Sequence, residues 1–303
     1  MSAEKPIETE KMAKIVPHIE NEYSPLKKVL VNQTPLIVTR FTDLKVNPIQ
    51  AKSLENEQRK GSVEVPGAAQ QHANLLQTLQ ENGVELVFSR VKPIKEGHTP
   101  MFTRDIGIIM DNKTVPSRLR YDYRSVEVQG LLDVISPESV VNSTYDYMVE
   151  GGDIAFLEKD LVLVGIGPRT DENGFKLLSE TFPEKEFIPV FPVVKEKAFH
   201  LDTVMGILGK KHLVYTPDLV PAELVRFLKE RDYTFVETSS EEYNTCCTNV
   251  LAISNRRIIA PAENKITNER IRKSGVEIIE VPLSEILPQG GGPHCLTMPL
   301  VRE

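Results

Sequence analysis

The sequence lacks tryptophan and has only three cysteines among its 303 residues. Two of them, Cys246 and Cys247, are adjacent, which leaves Cys295 without an evident disulfide partner. The three cysteines and six histidines show no CxxC, HxH or HExxH spacing of the kind that structural zinc sites use. We therefore expect no disulfide framework, no metal and no cofactor.

Long apolar runs and an excess of basic residues are also missing. No stretch reaches the roughly 20 apolar residues that cross a bilayer, and the first residues, MSAEKPIETEKMAKIVPHIE, are too polar for a signal peptide. The net charge is −7 with Lys and Arg scattered, so no basic surface for nucleic acid is indicated. We expect a cytoplasmic protein without nucleic-acid or membrane partners, and we leave a homodimer open.

A unit of strand, turn, strand, amphipathic helix and strand recurs about five times along the chain. Each unit alone would expose an apolar face that only neighbouring units can cover. The repeat predicts one α/β domain over residues 23–303, with its units around a common axis and a polar N-terminal extension over residues 1–22. Residues 43–70 form a long insertion in the first unit, which has the length of an active-site lid.

The five units are visible in consecutive stretches of sequence. The first runs from KKVLVNQ through the helix QQHANLLQTLQENG to VELVFSRV, and the second from DIGIIMDNKTVPSR through SVEVQGLLDVI to a short last strand. The third contains GGDIAFLEKDLVLVGIG, GFKLLSETF and KEFIPVFPV. The fourth contains LDTVMGILGKKHLVYTP, PAELVRFLKERD and YTFVETSS, and the fifth contains TNVLAISNRRIIAPA, ENKITNERIRKSG and VEIIEVPLSEI.

The segment QGGGPHCLTMP near the C-terminus has an unusual backbone composition. Three consecutive glycines precede a proline, His294 and Cys295, and this order presents a thiol at a tight, sterically open turn. A run of glycines alone is more typical of a flexible loop. The case for Cys295 as a functional residue therefore depends on the rest of the chain.

Polar residues stand at or just before the first strand of successive units. They are Asp105 in the second unit, Glu150 and Asp153 in the third, and His200 and Asp202 in the fourth. In a closed ring, equivalent positions converge on the axis, where Cys295 would join them. We therefore expect an acidic pocket with one thiol and one imidazole, which suits a small cation.

The motifs FTRD, EGGD, HLD and GGGxxC, in this order, resemble the guanidino-group-modifying enzymes of the pentein superfamily. These are the arginine deiminases, the dimethylarginine dimethylaminohydrolases and the amidinotransferases. The resemblance extends from YSPLKKVLV to Cys295. It implies a five-bladed, pseudo-fivefold α/β propeller, in agreement with the repeat count, and a small cationic guanidino substrate.

The resemblance also implies a role for each motif residue. Cys295 is similar to the family nucleophile, His200 to its general acid and base, and Glu150 to the carboxylate that supports catalysis. Asp105 and Asp202 match the positions that clamp the guanidinium nitrogens, and Arg169 matches the arginine that receives a substrate α-carboxylate. Asp153, Thr99 and His294 are further site candidates.

Such an arrangement is chemically sensible. A guanidinium carbon is electron-poor while the group stays protonated, and two carboxylates keep it protonated and orient its planar fork. Thiolate attack then leads to a thiouronium, which water activated by His200 hydrolyses. The cationic substrate and His200 should both favour the thiolate of Cys295.

Two positions depart from the arginine deiminase pattern. Thr99 stands where those enzymes usually carry an Asn, six residues before Asp105, and His294 stands where they carry an Arg before the catalytic Cys. The departures bear on the substrate and not on the reaction class. We expect hydrolysis of arginine, or of an N-methylated arginine, to citrulline with release of ammonia or a methylamine.

Three other interpretations make different predictions. An amidinotransferase would pass the amidino group to an acceptor amine and would differ only in what attacks the thiouronium. A non-catalytic pentein binding factor would lack the joint presence of Cys295, His200 and Glu150. A papain-like protease would place its Cys upstream of its His, whereas this chain has the reverse order.

Overall fold

The computed structural model describes residues 14–33, 67–92, 100–191 and 200–303. In these ranges the strands form five separate sheets, four with three strands and one with two. The fold is therefore α/β, as the sequence predicts. The insertion at 43–70 lies outside the described residues except for residues 67–70, so its role as a lid stays a prediction.

The first unit follows its predicted order of strand, helix and strand. The elements are β1 (Leu26–Asn32), α1 (Ala68–Glu81) and β2 (Glu85–Ser89), and the two strands pair in parallel. The helix buries Leu75 and Leu79 on its apolar face. It is followed by Gly83 in the left-handed region with φ 77°, a conformation that ends helices and favours glycine.

The second unit is the shortest of the five. Its hairpin of β3 (Gly107–Met110) and β4 (Lys113–Pro116) turns at Asp111, whose φ is 50°. A 3₁₀ segment (Asp122–Val128) and the one-turn helix α2 (Gln129–Leu132) follow. The last strand is reduced to a single parallel bridge between Thr114 and Val140, in keeping with the short strand that the sequence predicts.

The third, fourth and fifth units repeat one topology. Two strands form an antiparallel hairpin, a helix follows, and a last strand pairs in parallel with the second strand of the hairpin. The third unit is β5 (Ile154–Glu158), β6 (Leu161–Gly165), α3 (Glu172–Thr181) and β7 (Glu186–Val190). The fourth is β8 (Met205–Gly209), β9 (His212–Tyr215), α4 (Ala222–Lys229) and β10 (Thr234–Glu237). The fifth is β11 (Leu251–Ser254), β12 (Arg257–Pro261), α5 (Lys265–Lys273) and β13 (Glu277–Val281).

The chain returns to the first sheet at its C-terminal side. The strand β14 (Met298–Arg302) pairs antiparallel with β1, so that the first sheet has the order β14-β1-β2. The sequence pattern does not predict this strand. It supplies the antiparallel partner that the first unit otherwise lacks, and it fixes the loop that carries Cys295.

Residues 14–22 fall in the predicted polar extension, and the structure instead packs them against several units. Ile15 bridges to Ile135 in the second unit, and His18 bridges to Val301 in the first sheet. The backbone N–H of Glu22 donates to the carbonyl of Phe156 in the third unit, and the N–H of Phe156 donates to Oε1 of Glu22. This described part of the extension belongs to the packed body, while the domain boundary itself stays a prediction.

Neighbouring units contact one another mainly through their first strands. Contacts join β5 to β8, β8 to β11, β11 to β1, and β14 to β3. Buried apolar side chains fill the space between the sheets and their helices. Among the helices in the described ranges, none combines the length and apolar character needed to cross a bilayer.

Candidate active site

Polar residues precede the first strand of all five sheets. The predicted ones lie on or beside three short 3₁₀ turns, at Thr103–Ile106, Gly151–Asp153 and Leu201–Thr203, and the middle turn contacts the other two. Glu22 before β1 and Asn249 before β11 occupy comparable positions. The turns thus bring side chains that are far apart in sequence into one buried cluster.

The thiol of Cys295 is buried and has two side-chain neighbours. Its Sγ lies 3.2 Å from Oδ2 of Asp202 and 2.9 Å from Nδ2 of Asn249. Oδ1 of Asn249 accepts hydrogen bonds from the backbone N–H of Cys295 at 3.1 Å and of Gly292 at 2.9 Å. Burial, followed by the charges of Asp202 and Asp105, raises the pKa of the thiol well above its ordinary value.

The glycines before Cys295 are needed for close approach. Gly290 has a φ of 103°, which favours glycine, and a Cβ on Gly291 would lie 2.7 Å from Cβ of Cys295 and 2.6 Å from Phe102. Both values are far below an ordinary contact distance. The glycine run is therefore an ordered loop that holds the thiol in place.

His200 lies between two of the predicted carboxylates. Its Nε2 is 2.8 Å from Oε2 of Glu150, and its Nδ1 is 3.7 Å from Oδ1 of Asp105. Burial disfavours the charged ring, but the charges of Asp105, Asp153 and Glu150 and the hydrogen bond to Glu150 outweigh burial and raise the pKa of His200 to about 9. The imidazole is thus protonated at neutral pH and can act as an acid.

Glu150 is held by a second cation. Nη1 of Arg169 lies 3.2 and 3.1 Å from its two carboxylate oxygens, and the backbone N–H of Arg120 donates to Oε1 at 2.8 Å. Burial raises the pKa of Glu150, but Arg169 and His200 outweigh it and lower the pKa to about 2. Arg169 also lies over the ring of Tyr121 at 4.6 Å, and its predicted contact with a substrate carboxylate stays a prediction.

Asp105 and Asp202 each accept hydrogen bonds at one oxygen and leave the other without one, and the free oxygen of Asp105, Oδ1, lies 3.7 Å from Nδ1 of His200. Nη1 of Arg124 donates to Oδ2 of Asp105 at 3.0 Å, and Oδ2 of Asp202 faces His294 and the thiol. Oδ1 of each aspartate is buried and has no hydrogen-bond partner among the described residues. Buried carboxylate oxygens of this kind call for N–H donors from a ligand.

The other predicted residues have positioning contacts. Asp153 accepts hydrogen bonds from Oγ1 of Thr170 at 2.7 Å and from the backbone N–H of Leu201 at 3.0 Å, which fixes the turn beside His200. Burial raises the pKa of Asp153 to about 7. His294 lies against Asp202 and Glu22, and Thr99 lies outside the described residues.

Sequence reasoning missed three residues of this cluster. Asn249 could have been found, because it precedes the first strand of the fifth unit just as Asp202 precedes that of the fourth. Glu22 lies in the same position before β1 but within a segment that reads as polar. Arg124 gives no sequence signal, since its pairing with Asp105 depends on the fold of the second unit.

One group of potential metal ligands occurs among the described residues, formed by Asp105, Glu150 and His200 with ligand atoms within 4.8 Å of one another. Both carboxylates already face a guanidinium, Arg124 at Asp105 and Arg169 at Glu150. These fixed positive charges oppose a divalent cation at the same oxygens. The absence of a metal cofactor stays a prediction.

Comparison with known proteins identifies the family. A family model described as N,N dimethylarginine dimethylhydrolase, eukaryotic, matches residues 42–302. The chain belongs to this family. The predicted resemblance to guanidino-group-modifying enzymes of the pentein superfamily is thereby confirmed.

Relatives in sequence include an uncharacterized protein and arginine deiminases. The chain is 31% identical over 287 residues to the uncharacterized protein YkgA of Bacillus subtilis, covering 93% of this chain and 94% of that protein. It is 27% identical over 196 residues to the arginine deiminase of Listeria welshimeri, covering 52% of this chain and 48% of the deiminase. This member of the dimethylhydrolase family thus matches only about half the length of that arginine deiminase.

Solved structures share the fold at low identity. The N-terminal domain of ArgZ, a cyanobacterial arginine dihydrolase, has a TM-score of 0.74 at 22% identity and covers 91% of this chain and 97% of its own. SxtG, an amidinotransferase from Microseira wollei, has a TM-score of 0.77 at 14% identity and covers 95% and 98%. The pentein fold of this dimethylhydrolase family member is therefore common to enzymes with different reactions.

Proposed function

We propose that this protein is a cysteine-dependent hydrolase that converts arginine or an N-methylated arginine to citrulline, with release of ammonia or a methylamine. Cys295 is the nucleophile, His200 the general acid and base, and Glu150 the carboxylate that orients and charges His200. Asp105 and Asp202 bind the guanidinium. These roles rest on the family membership and on the geometry of the cluster.

The observation that carries the proposal is the pair of buried carboxylate oxygens on Asp105 and Asp202 that accept no hydrogen bond from the described residues. Both are buried near a thiol whose pKa both carboxylates raise. A guanidinium supplies a positive charge and five N–H donors in a planar fork, which matches two carboxylates and compensates their burial. An uncharged amide would satisfy the hydrogen bonds but not the charge.

The first half-reaction forms a covalent intermediate. As the cation binds, it lowers the pKa of the Cys295 thiol, and the thiol proton is released. The thiolate adds to the guanidinium carbon and forms a C–S bond. His200, which is protonated at neutral pH, donates its proton to the departing nitrogen, so that ammonia or a methylamine leaves and a thiouronium remains.

The second half-reaction uses the neutral His200 that the first one produces. It removes a proton from water, and the oxygen adds to the thiouronium carbon. The hydroxyl proton of the tetrahedral intermediate is then lost to solvent as the C–S bond breaks, so that the thiolate returns and the product carries a neutral ureido group in place of the guanidino group. Glu150, with its pKa near 2, stays ionised throughout and compensates the charge on His200 in both steps.

A substrate screen tests the proposal. The protein is incubated with arginine, methylarginines, agmatine and guanidino acids, and citrulline, ammonia and methylamine are quantified. Parallel reactions contain glycine or lysine as acceptor amines. Citrulline from an arginine compound supports hydrolysis, whereas an amidino-transfer product without citrulline would contradict it.

The nucleophile is tested with two matched substitutions. Cys295→Ser should lower kcat by on the order of 10³-fold or more, because a serine hydroxyl in this site is not ionised. Cys247→Ser, at a second buried cysteine, should leave kcat within about threefold of wild type. Full turnover by Cys295→Ser would show that another group attacks the substrate.

We infer that the five sheets are the blades of a closed, pseudo-fivefold propeller, which the contacts between neighbouring first strands support. We also propose that the enzyme acts in the cytoplasm on a free small molecule.

A further inference from the structure

His294 lies directly before Cys295 and has a carboxylate at each ring nitrogen. Its Nδ1 is 2.8 Å from Oδ2 of Asp202, and its Nε2 is 2.8 Å from Oε2 of Glu22. Its side chain is 10% exposed, against 8% for Glu22 and 6% for Asp202. Few water molecules can therefore compete for these hydrogen bonds.

Both hydrogen bonds can exist together only when both ring nitrogens carry a hydrogen, because a carboxylate accepts and does not donate. Burial raises the pKa of Glu22, but His294, Arg104 and the Phe156 N–H outweigh burial and lower it to about 2. His294 and its charge-assisted bonds lower the pKa of Asp202 against the effect of burial. Glu22 and Asp202 thus both lie at hydrogen-bonding distance as acceptors, and this two-sided geometry calls for an N–H at each ring nitrogen.

We propose that His294 is a positioning residue, held as an imidazolium between Glu22 and Asp202, which orients Asp202 and favours the thiolate of Cys295. This inference rests on the proposed function, since it assigns a purpose to the residue beside the nucleophile. His294 acts through Asp202 and through its charge and is not assigned a contact with substrate.

Hydrogen bonds explain how His294 would orient the carboxylate of Asp202. Oδ2 of Asp202 is directed at His294 and at the thiol, while the backbone carbonyl of Asp202 accepts from Oγ1 of Thr248 at 3.1 Å. The carboxylate is fixed at one oxygen, and Oδ1 is the atom left for a guanidinium. If the His294 ring rotated away from Asp202, neither carboxylate oxygen would be fixed. Both oxygens of Asp202 would then compete for the same N–H donors.

The charge of His294 compensates a strongly negative surrounding. Asp202 and Asp105 raise the pKa of the Cys295 thiol, and the nearby thiol of Cys246 acts in the same direction. Facing His294 itself are Asp202, Glu22 and, behind Glu22, Arg104, whose Nη1 lies 3.7 Å from Oε2 of that glutamate. The imidazolium is the cation next to the nucleophile in sequence and offsets the nearer carboxylate.

Glu22→Gln tests the charge without removing the hydrogen bonds. The amide oxygen of Gln can still accept from Phe156, and its NH₂ group can donate to Nε2 of a neutral His294. The variant should therefore convert His294 to the neutral form with Nδ1–H still donating to Asp202. Loss of the nearer positive charge should raise the pH midpoint of Cys295 alkylation by iodoacetamide by about one unit.

The direction of the shift distinguishes the proposal from its alternatives. If His294 stayed in one protonation state, removal of the negative charge of Glu22 alone would lower the alkylation midpoint or leave it unchanged, and either result would overturn the proposal. Mass spectrometry of the Cys295 peptide separates this thiol from the two other cysteines. The readout needs no substrate, so failure of the proposed function would not be mistaken for failure of this inference.

Glu20→Gln is the matched control, because it removes the same charge two residues earlier at a partly exposed glutamate paired with Lys159. It should shift the midpoint by less than about 0.2 units. Nitrogen NMR of ¹⁵N-imidazole in the wild-type protein gives a direct answer even if Glu22→Gln unfolds. A His294 ring with both nitrogens protonated at pH 8, assigned by its loss in His294→Gln, is expected, and a neutral ring there would refute the proposal.

Discussion

Gly152 is a residue at which one methyl group would disturb His200, the proposed general acid and base. A Cβ built on it would lie 2.7 Å from Nδ1 and 2.8 Å from Cγ of His200, below any real Cβ contact. The ring is held at Nε2 by Glu150, so it cannot move away without lengthening that bond. The second glycine of EGGD is therefore required by the space that His200 occupies.

We predict that Gly152→Ala lowers kcat by on the order of 10²-fold, because the displaced imidazole no longer reaches the leaving nitrogen in line. KM should change less than kcat, since Asp105 and Asp202 are not touched. Gly167→Ala is the control, as a Cβ there meets nothing within 4 Å among the described residues. Equal losses in the two variants, measured as steady-state rates, would contradict this assignment.

At the scale of elements, β14 links packing to the site. Leu300 lies in the middle of this strand, is fully buried, and belongs to the largest apolar cluster of the described residues. The strand begins three residues after Cys295, so the loop that carries the thiol is anchored by the pairing of β14 with β1.

Leu300→Ala should lower the free energy of unfolding by about 2–5 kcal/mol, because it removes buried methyl groups and leaves a cavity beside β1. Ile266→Ala, on the exposed side of α5, should change it by less than about 0.5 kcal/mol. Urea denaturation of both variants gives the comparison. A loss below about 1 kcal/mol for Leu300→Ala would mean that the packing of β14 adds little to stability.

Helices and strands were predicted correctly where the sequence pattern that indicates them is local. Alternating apolar runs and turn residues give the hairpins of the third, fourth and fifth units, and Asn82 with Gly83 marks the end of α1. The strand β14 was not predicted because its sequence MPLVR is short and contains a proline. Its assignment depends on a partner about 270 residues earlier in the chain.

At the scale of the whole molecule, the fivefold repeat determined how much of the candidate site was predictable. It places polar residues at equivalent positions before the first strand of each unit. Equivalent positions before first strands identified Asp105, Glu150, His200 and Asp202, and the same rule applied to the fifth unit would have added Asn249. The contacts of Arg124 and Glu22 could not be read from the sequence, because those of Arg124 depend on how the second unit folds and those of Glu22 on how the N-terminal segment packs against other units. Charge balance inside the body is a property of the fold and not of a motif.

The buried charges make the stability of the whole protein depend on pH. The pKa of His200 is about 9 in the folded state and 6.5 in the unfolded chain, so its contribution to stability is fully present below pH 6.5 and is lost as pH rises through 9. We predict that the difference in unfolding free energy between wild type and His200→Gln falls by about 3 kcal/mol from pH 6 to pH 10. Urea titrations at several pH values measure this difference.

His72 provides the control for that titration. It is also buried, but burial lowers its pKa to about 4, so its contribution changes between pH 6.5 and 4 and is constant above. The corresponding difference for His72→Gln should therefore be flat from pH 7 to 10. A flat profile for His200→Gln as well would show that the carboxylates around His200 do not hold its proton.

The pairing of β14 with β1 has a consequence for biosynthesis. A ribosome adds about 5–20 residues per second, so β1 emerges tens of seconds before the strand that completes its sheet. During that interval one edge of β1 is open, and such an edge invites pairing with other chains unless a chaperone covers it. Because Cys295 is translated just ahead of β14, a nascent chain gains the proposed nucleophile only as the last edge of its first sheet closes, and a chain terminated before Cys295 has neither.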